Sequence, residues 1–186
     1  MPLEAAGRPE RRPALMKSRK ILIAGLILVA LGVGGGWWPL HVLKIEAIRE
    51  ERTVHVRAVH PGDRLTIGFV HSVEKCPVQD HFMIDGTYRM VLRETTFASS
   101  NTGLPYSLGP NETLVNEGTQ FRIGNRRIFL QAIDLWVHDK YGNFIRFKDE
   151  EELRLSGLAG NTLLRVSVVK AAAARYLFWK AGSLFP

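Results

Sequence analysis

Apolar and polar residues alternate over much of the chain beyond residue 41, and this alternation with a period of two predicts β-strands. Turn signals rich in Gly, Pro, Asn and Asp separate the alternating runs, and Asp85-Gly86 is typical of a β-hairpin. The predicted strands are 53–59, 64–71, 78–84, 88–98, 121–123, 128–133, 135–138, 144–147 and 162–169. Short strands at this spacing, with no helical periods between them, predict a mainly β domain over residues 41–186, an antiparallel sandwich or open barrel.

A different pattern precedes this domain, because residues 21–40 form an uncharged, apolar run of twenty residues. A helix of that length reaches about 30 Å, which is the thickness of the hydrocarbon layer of a bilayer. Trp37 and Trp38 occupy its far end, where aromatic residues favour the membrane interface. The run therefore predicts a transmembrane anchor, and a cleaved signal peptide with small residues at Gly32-Val33-Gly34 is the alternative.

The basic residues are unevenly distributed along the chain. Their distribution predicts which side of the membrane each end of the anchor faces. Residues 1–20 carry six Lys or Arg and two Glu, whereas the rest of the chain carries 19 Lys or Arg and 16 Asp or Glu. A basic tail before the span predicts that the N-terminus lies in the cytoplasm and that residues 41–186 are extracytoplasmic, at the bacterial cytoplasmic membrane. Because the β domain itself is only mildly basic, we expect no nucleic acid partner.

The end of the chain changes character, since residues 170–181 read KAAAARYLFWKA. Alanine-rich sequence of this kind predicts a short C-terminal helix. Its four consecutive apolar residues, Tyr176 to Trp179, either dock on the domain or contact a membrane or a partner.

The densest potential chemistry lies in residues 71–81. A metal site could use His71, Glu74, Asp80 and His81, but strand alternation places Asp80 and His81 on opposite faces. Cys76, the only cysteine, excludes an internal disulfide and a multi-cysteine zinc site. A Cys76 nucleophile with a histidine base is the second possibility, although no cysteine hydrolase signature surrounds it. We expect neither a metal nor another cofactor.

A polar loop offers recognition as a third possibility. Residues 99–106 read SSNTGLPY, and loops of this composition present backbone N–H groups, hydroxyls and an aromatic ring to a partner or an anion.

These blocks carry a resemblance to a known family. The stretch 71–78 (HSVEKCPV), followed by Phe82, by 96–99 (TFAS) and by 103–105 (GLP), resembles an uncharacterised bacterial family, a domain of unknown function. Its genes lie beside, or are fused to, the gene for the membrane component of tripartite ATP-independent periplasmic (TRAP) transporters of the TAXI type. The resemblance implies a location and partners and assigns no catalytic residue.

Together these features predict an anchored extracytoplasmic accessory protein of such a transporter, acting by protein–protein contact. The expected partners are the transporter membrane component, the periplasmic solute-binding protein, or both, with the bilayer contacted through residues 21–40. The expected contact surface consists of His71, Ser72, Glu74, Asn101, Gly103 and Pro105. Two alternatives remain open: a periplasmic hydrolase or metal-dependent enzyme using His71, Glu74, Cys76 and His81, and a module that binds a small organic acid.

Overall fold

The structure, a computed structural model, describes residues 36–73, 75–98, 108–149 and 151–183. The predicted basic tail, residues 1–20, and most of the predicted anchor therefore lie outside the described residues. Among those described, no helix combines the length and the apolar character that crossing a bilayer requires. The chain divides into a short unit, Met1–Trp38, and a compact unit, Pro39–Pro186. The first strand begins at Pro39, inside the segment predicted as the anchor.

Short β-strands dominate the described part of the compact unit. The first six are β1 (Pro39–Ala47), β2 (Arg52–Ala58), β3 (Arg64–Val70), β4 (Pro77–Ile84), β5 (Met90–Phe97) and β6 (Thr113–Asn116). The next six are β7 (Phe121–Gly124), β8 (Ile128–Leu130), β9 (Ala132–Trp136), β10 (Phe144–Phe147), β11 (Glu152–Arg154) and β12 (Leu163–Ala172). A 3-10 turn, η1 (Asp139–Tyr141), and two α-helices, α1 (Leu155–Ala159) and α2 (Ala173–Ser183), complete the described elements.

The strands form two antiparallel sheets. One sheet has four strands in the order β2-β1-β12-β9. The other has the order β11-β10-β3-β4-β5-β7-β6, and β8 pairs with β5 beside this path. Every described strand pair is antiparallel. The prediction of a mainly β, antiparallel domain is confirmed.

Alternate side chains of both sheets build one hydrophobic core. Leu43 and Ile45 of β1 and Leu164 and Val166 of β12 are fully buried, as is Ile145 of β10 in the other sheet. All five belong to a single cluster, so the two sheets pack against one another through it. A smaller second cluster lies within the larger sheet and consists of Cys76, Val78, Phe97 and Ile123.

The described elements differ from the predicted ones at several places. Three strands, β1, β6 and β11, were not predicted, although β1 lies at the centre of the smaller sheet. The single strand predicted over 128–133 is two strands, β8 and β9, which belong to different sheets. The C-terminal helix is present but begins at Ala173 and not at Lys170. The preceding residues, Lys170 to Ala172, continue β12 because they pair with β1.

We expect Leu43→Ala to lower the free energy of unfolding by about 2–5 kcal/mol, because it leaves a cavity beneath the central strand β1. Chemical denaturation followed by tryptophan fluorescence measures the change. The matched control is Leu114→Ala on β6, where the side chain is 48% exposed and the expected loss is under about 1 kcal/mol. Equal losses at the two positions would contradict the assigned core.

Candidate functional site

A six-residue loop joins β3 to β4 and carries two residues of the predicted contact surface, His71 and Ser72. The loop is closed by backbone hydrogen bonds: the N–H of His71 donates to the carbonyl of Cys76 (2.8 Å), and the N–H of Lys75 donates to the carbonyl of His71 (3.0 Å). Lys75 adopts the left-handed backbone conformation with φ of 52°, which turns the chain back into β4. The histidine backbone is therefore held from both sides.

His71 and Ser72 line the mouth of a cleft with a volume of about 540 Å³. The cleft opens between β9, at the edge of the four-stranded sheet, and the neighbouring strands β3 and β4 of the larger sheet. Its apolar and aromatic walls are Ile67, Phe69, Val70, Phe82, Ile133, Leu135, Trp136 and Tyr141. Its other polar lining residues are Asp80, Asp134 and Asn143.

Asp80 is the half-buried carboxyl group of the cleft and is held by a chain of hydrogen bonds. The hydroxyl of Thr95, on the adjacent strand β5, donates to Asp80 Oδ1 (2.6 Å). The same hydroxyl oxygen accepts a hydrogen bond from Arg126 Nη1 (2.6 Å), and Arg126 Nε donates to Glu112 (3.0 Å). Arg126 thus reaches Asp80 through Thr95.

Burial raises the pKa of Asp80 above the usual range of an aspartate. The hydrogen bond from Thr95 and the nearby positive charge of Arg126 oppose this effect and only partly offset it. The cleft therefore contains a carboxylate whose charge is incompletely compensated by the protein. Such a group favours a bound positive charge or a hydrogen-bond donor.

The charge of the cleft disfavours an anionic ligand. Among the described lining residues there are two carboxylates, Asp80 and Asp134, and neither Lys nor Arg. Arg165, on β12, forms a bidentate salt bridge with Asp134, in which both N–O distances are 2.7 Å. This salt bridge compensates the negative charge of Asp134. A carboxylate ligand would meet no Lys or Arg among the described lining residues of this cleft, and the binding of a small organic acid stays a prediction.

Of the residues proposed for catalysis, Glu74 lies outside the described residues, and the side chains of Cys76 and His81 do not join His71 in the cleft. Cys76 is only 7% exposed, packs in the second cluster and does not line the cleft. His81 lies on the opposite face of β4 from Asp80, where its Nδ1 is 2.9 Å from Thr66 Oγ1. Among the residues that the structure describes, no three His, Cys, Asp or Glu side chains form a group that could hold a metal ion.

Four of the predicted contact residues, Glu74, Asn101, Gly103 and Pro105, lie outside the described residues. β5 ends at Phe97, which pairs with Val78 just after the β3–β4 loop. The structure thus brings together His71 and Ser72 at the cleft, and the shared surface predicted for all six residues stays a prediction.

Sequence reasoning missed the other wall of the cleft, which β9 and η1 contribute. Trp136 is 45% exposed and lies under the guanidinium of Arg49, 4.9 Å from the ring centroid. Asn143 is buried, and its Oδ1 accepts a hydrogen bond from the N–H of His138 (3.1 Å). The sequence indicated a strand at 135–138 and a turn at 142–143. No feature of the sequence predicted that these two elements lie close to β3.

Comparison with known proteins gives a match to one family model. Residues 65–153 match the model of the family described as Domain of unknown function (DUF1850). The match runs from β3 into β11 and includes every residue that lines the cleft. No curated protein and no solved structure matches the chain. An uncharacterised family therefore fits the resemblance seen in the sequence, whereas the association with a transporter stays a prediction.

We expect Asp80→Asn to raise the stability of the folded protein at pH 7. The raised pKa means that the folded state binds the proton more tightly than the unfolded state, so ionised Asp80 is destabilising. The free-energy cost of ionised Asp80 disappears as the pH falls, first through the pKa of Asp80 in the folded state and then through its pKa in the unfolded state. The gain in stability from Asp80→Asn is therefore smaller at acidic pH. Urea denaturation of both proteins between pH 3 and pH 8 measures the difference.

The matched control is Asp134→Asn, on β9 of the same cleft. Hydrogen bonds from Arg165 lower the pKa of Asp134, so its ionised form is the stabilising one. We therefore expect the control to give no gain at pH 7. A loss of stability for Asp80→Asn at pH 7 would show that Thr95 and Arg126 outweigh the cost of burial.

Proposed function

We propose that the chain is a membrane-anchored, extracytoplasmic accessory protein of a TRAP-type solute transporter and that it acts by protein–protein contact. The uncharged segment 21–40 supports the anchor, and the blocks around residues 71–78 and 103–105 support the transporter association. The single observation that carries the contact function is the open, largely apolar cleft between β9 and the β3–β4 pair. A surface of this kind suits recognition of another molecule.

The edge strand β9 gives the cleft a means of holding a polypeptide. Among the described strands, β9 pairs only with β12, and residues of β9 also line the cleft. Edge strands of sheets accept an additional strand from a partner through backbone hydrogen bonds, and neighbouring pockets select the side chains. An extended segment of the transporter or of its binding protein would pair with β9 and place apolar side chains between Phe69 and Trp136.

The carboxyl groups of the cleft favour a partner segment that carries a positive charge or a hydrogen-bond donor. Asp80 lines the same cavity as the aromatic side chains of Phe69, Phe82 and Trp136. A cation is attracted both by a carboxylate and by the faces of aromatic rings. The proposed partner segment therefore carries a Lys or Arg, or another hydrogen-bond donor, among apolar residues.

Catalysis receives less support from the same geometry. The enzyme alternative needs the side chain of Cys76 or His81 in the cleft with His71, and neither of the two lines it. Binding of a small ligand is the second candidate function, because a volume of about 540 Å³ is within the range of small-molecule sites. The acidic lining favours a neutral or cationic ligand over an organic acid.

Site-directed photo-crosslinking in native membranes tests the contact function. The full-length protein carries a photoreactive amino acid in place of Ser72, at the mouth of the cleft. The matched control carries it in place of Thr113, which is exposed on β6 of the same sheet. We expect the Ser72 probe to form a crosslink to a transporter membrane component or to a solute-binding protein, and the Thr113 probe to form none.

A second variant shows whether the crosslink reports on the cleft. Trp136→Glu removes an aromatic wall and adds a carboxylate, and we expect it to lower recovery of the crosslinked partner by roughly tenfold. A melting curve verifies that the variant is folded. Equal crosslinking from both probes, or undiminished recovery with Trp136→Glu, would refute the proposed surface. A melting shift with an amine ligand, in the absence of any crosslink, would support the small-ligand alternative.

A further inference from the structure

The C-terminal helix α2 is apolar on two opposite faces. α2 packs against β2, β1 and β12, and Tyr176 and Trp179 are half-buried on that side. On the other side, Leu177 is 62% exposed and Phe178 is 77% exposed. Helical geometry adds Ala174 and Ala181 to this exposed side, because residues at i, i+3, i+4 and i+7 share one face. These four residues, 174, 177, 178 and 181, are named the outer stripe.

Two cations border the outer stripe. At 100° per residue, Arg175 projects beside Phe178 on one side of the stripe, and Lys180 projects beside Leu177 on the other. The guanidinium of Arg175 lies 5.2 Å from the ring centroid of Trp179, and the ammonium group of Lys180 lies 5.7 Å from that of Tyr176. The sequence of α2 contains no Asp or Glu. The surface is thus an apolar stripe with a positive charge along each border.

α2 begins next to the N-terminal end of β1. Ala172, the last residue of β12, pairs with Pro39, the first residue of β1, and α2 begins at Ala173. In the sequence, Pro39 directly follows the apolar residues 21–38 of the proposed anchor, so the presence of a membrane near α2 rests on the proposed function.

We infer that the outer stripe of α2 lies on the surface of a bilayer that contains anionic phospholipid. Interfacial helices insert an apolar stripe at the boundary between headgroups and acyl chains, and flanking Lys and Arg attract anionic headgroups. Leu177 and Phe178 supply the inserted groups, and Arg175 and Lys180 supply the headgroup contacts. This surface is separate from the cleft and does not depend on which protein the cleft binds.

Charge argues against a second copy of the chain as the occupant. Two stripes packed together in a symmetric dimer would bring Arg175 and Lys180 of one helix near the same two cations of the other. α2 carries no carboxylate to compensate them. An anionic lipid surface supplies the missing negative charge.

Depth-dependent quenching of a fluorophore tests the inference in the full-length protein. The environment-sensitive dye NBD is attached at Phe178→Cys, with the buried Cys76 replaced by Ala, and the protein is reconstituted into vesicles of phosphatidylcholine and phosphatidylglycerol. We expect blue-shifted emission that is quenched by lipids carrying a spin label near the headgroup. The matched control places NBD at Leu114→Cys, an exposed position on β6, where we expect neither effect.

Two further variants separate the apolar and the charged contributions. Leu177→Ser should lower the quenching at position 178 in all vesicles, because it removes an inserted side chain. Arg175→Gln with Lys180→Gln should abolish the difference between vesicles with and without phosphatidylglycerol. A melting curve of each labelled protein verifies the fold, and an unfolded variant is replaced by Leu177→Asn or by the single charge substitutions.

The outcomes distinguish this inference from the proposed function. Quenching at position 178 without any crosslink from position 72 would retain the lipid surface and reject the transporter contact. Unquenched emission at position 178 in vesicles where the full chain is membrane-bound would overturn the inference. A disulfide between two copies of the unlabelled Phe178→Cys protein in the same vesicles would assign the stripe to a second copy of the chain and overturn the inference as well.

Discussion

The antiparallel pairing of the first and the last strand is the constraint on which the rest of the domain depends. β1 and β12 pair along their whole overlap, from Pro39 with Ala172 to Ala47 with Leu164. β1 also holds β2, and β12 also holds β9, so this one ladder joins all four strands of the smaller sheet. Leu43, Ile45, Leu164 and Val166 project from the ladder into the core. Closing so long a loop of chain is entropically costly, and the shared core offsets that cost.

The cleft exists because the two sheets differ in extent. The main core lies where both sheets overlap, and the second cluster lies where the larger sheet continues through the ends of β4, β5 and β7. Asp80 lies on β4 between Phe82 of the main core and Val78 of the second cluster. At this boundary Asp80 accepts a hydrogen bond from Thr95 and also lines the open cleft. The same gap that interrupts apolar packing thus forms part of the cleft.

Local pattern identified much of the larger sheet. Alternation placed the strands that became β3, β4 and β10 within one or two residues, and Asp85-Gly86 marked the turn between β4 and β5. The local pattern failed where the strands are determined by pairing with residues that are distant in the sequence. β1 follows immediately after an apolar segment that masks its alternation, and the strand predicted over 128–133 divides at Gln131 because its halves pair with different strands. Of the cleft, only the β3–β4 side was predictable, since the residues of β9 meet it through a pairing with β12 that no local pattern encodes.

The adjacency of the first and last described strands also determines when the domain can form during synthesis. β1 emerges first, and its partner β12 is the last of the described strands. Until about 120 further residues have followed, β1 has its neighbour β2 but lacks the strand that completes its other edge. A chain that stops before Leu163 leaves this apolar edge open to proteases and to aggregation. The fold therefore distinguishes chains that include β12 from chains truncated before it, since only the former can close the smaller sheet.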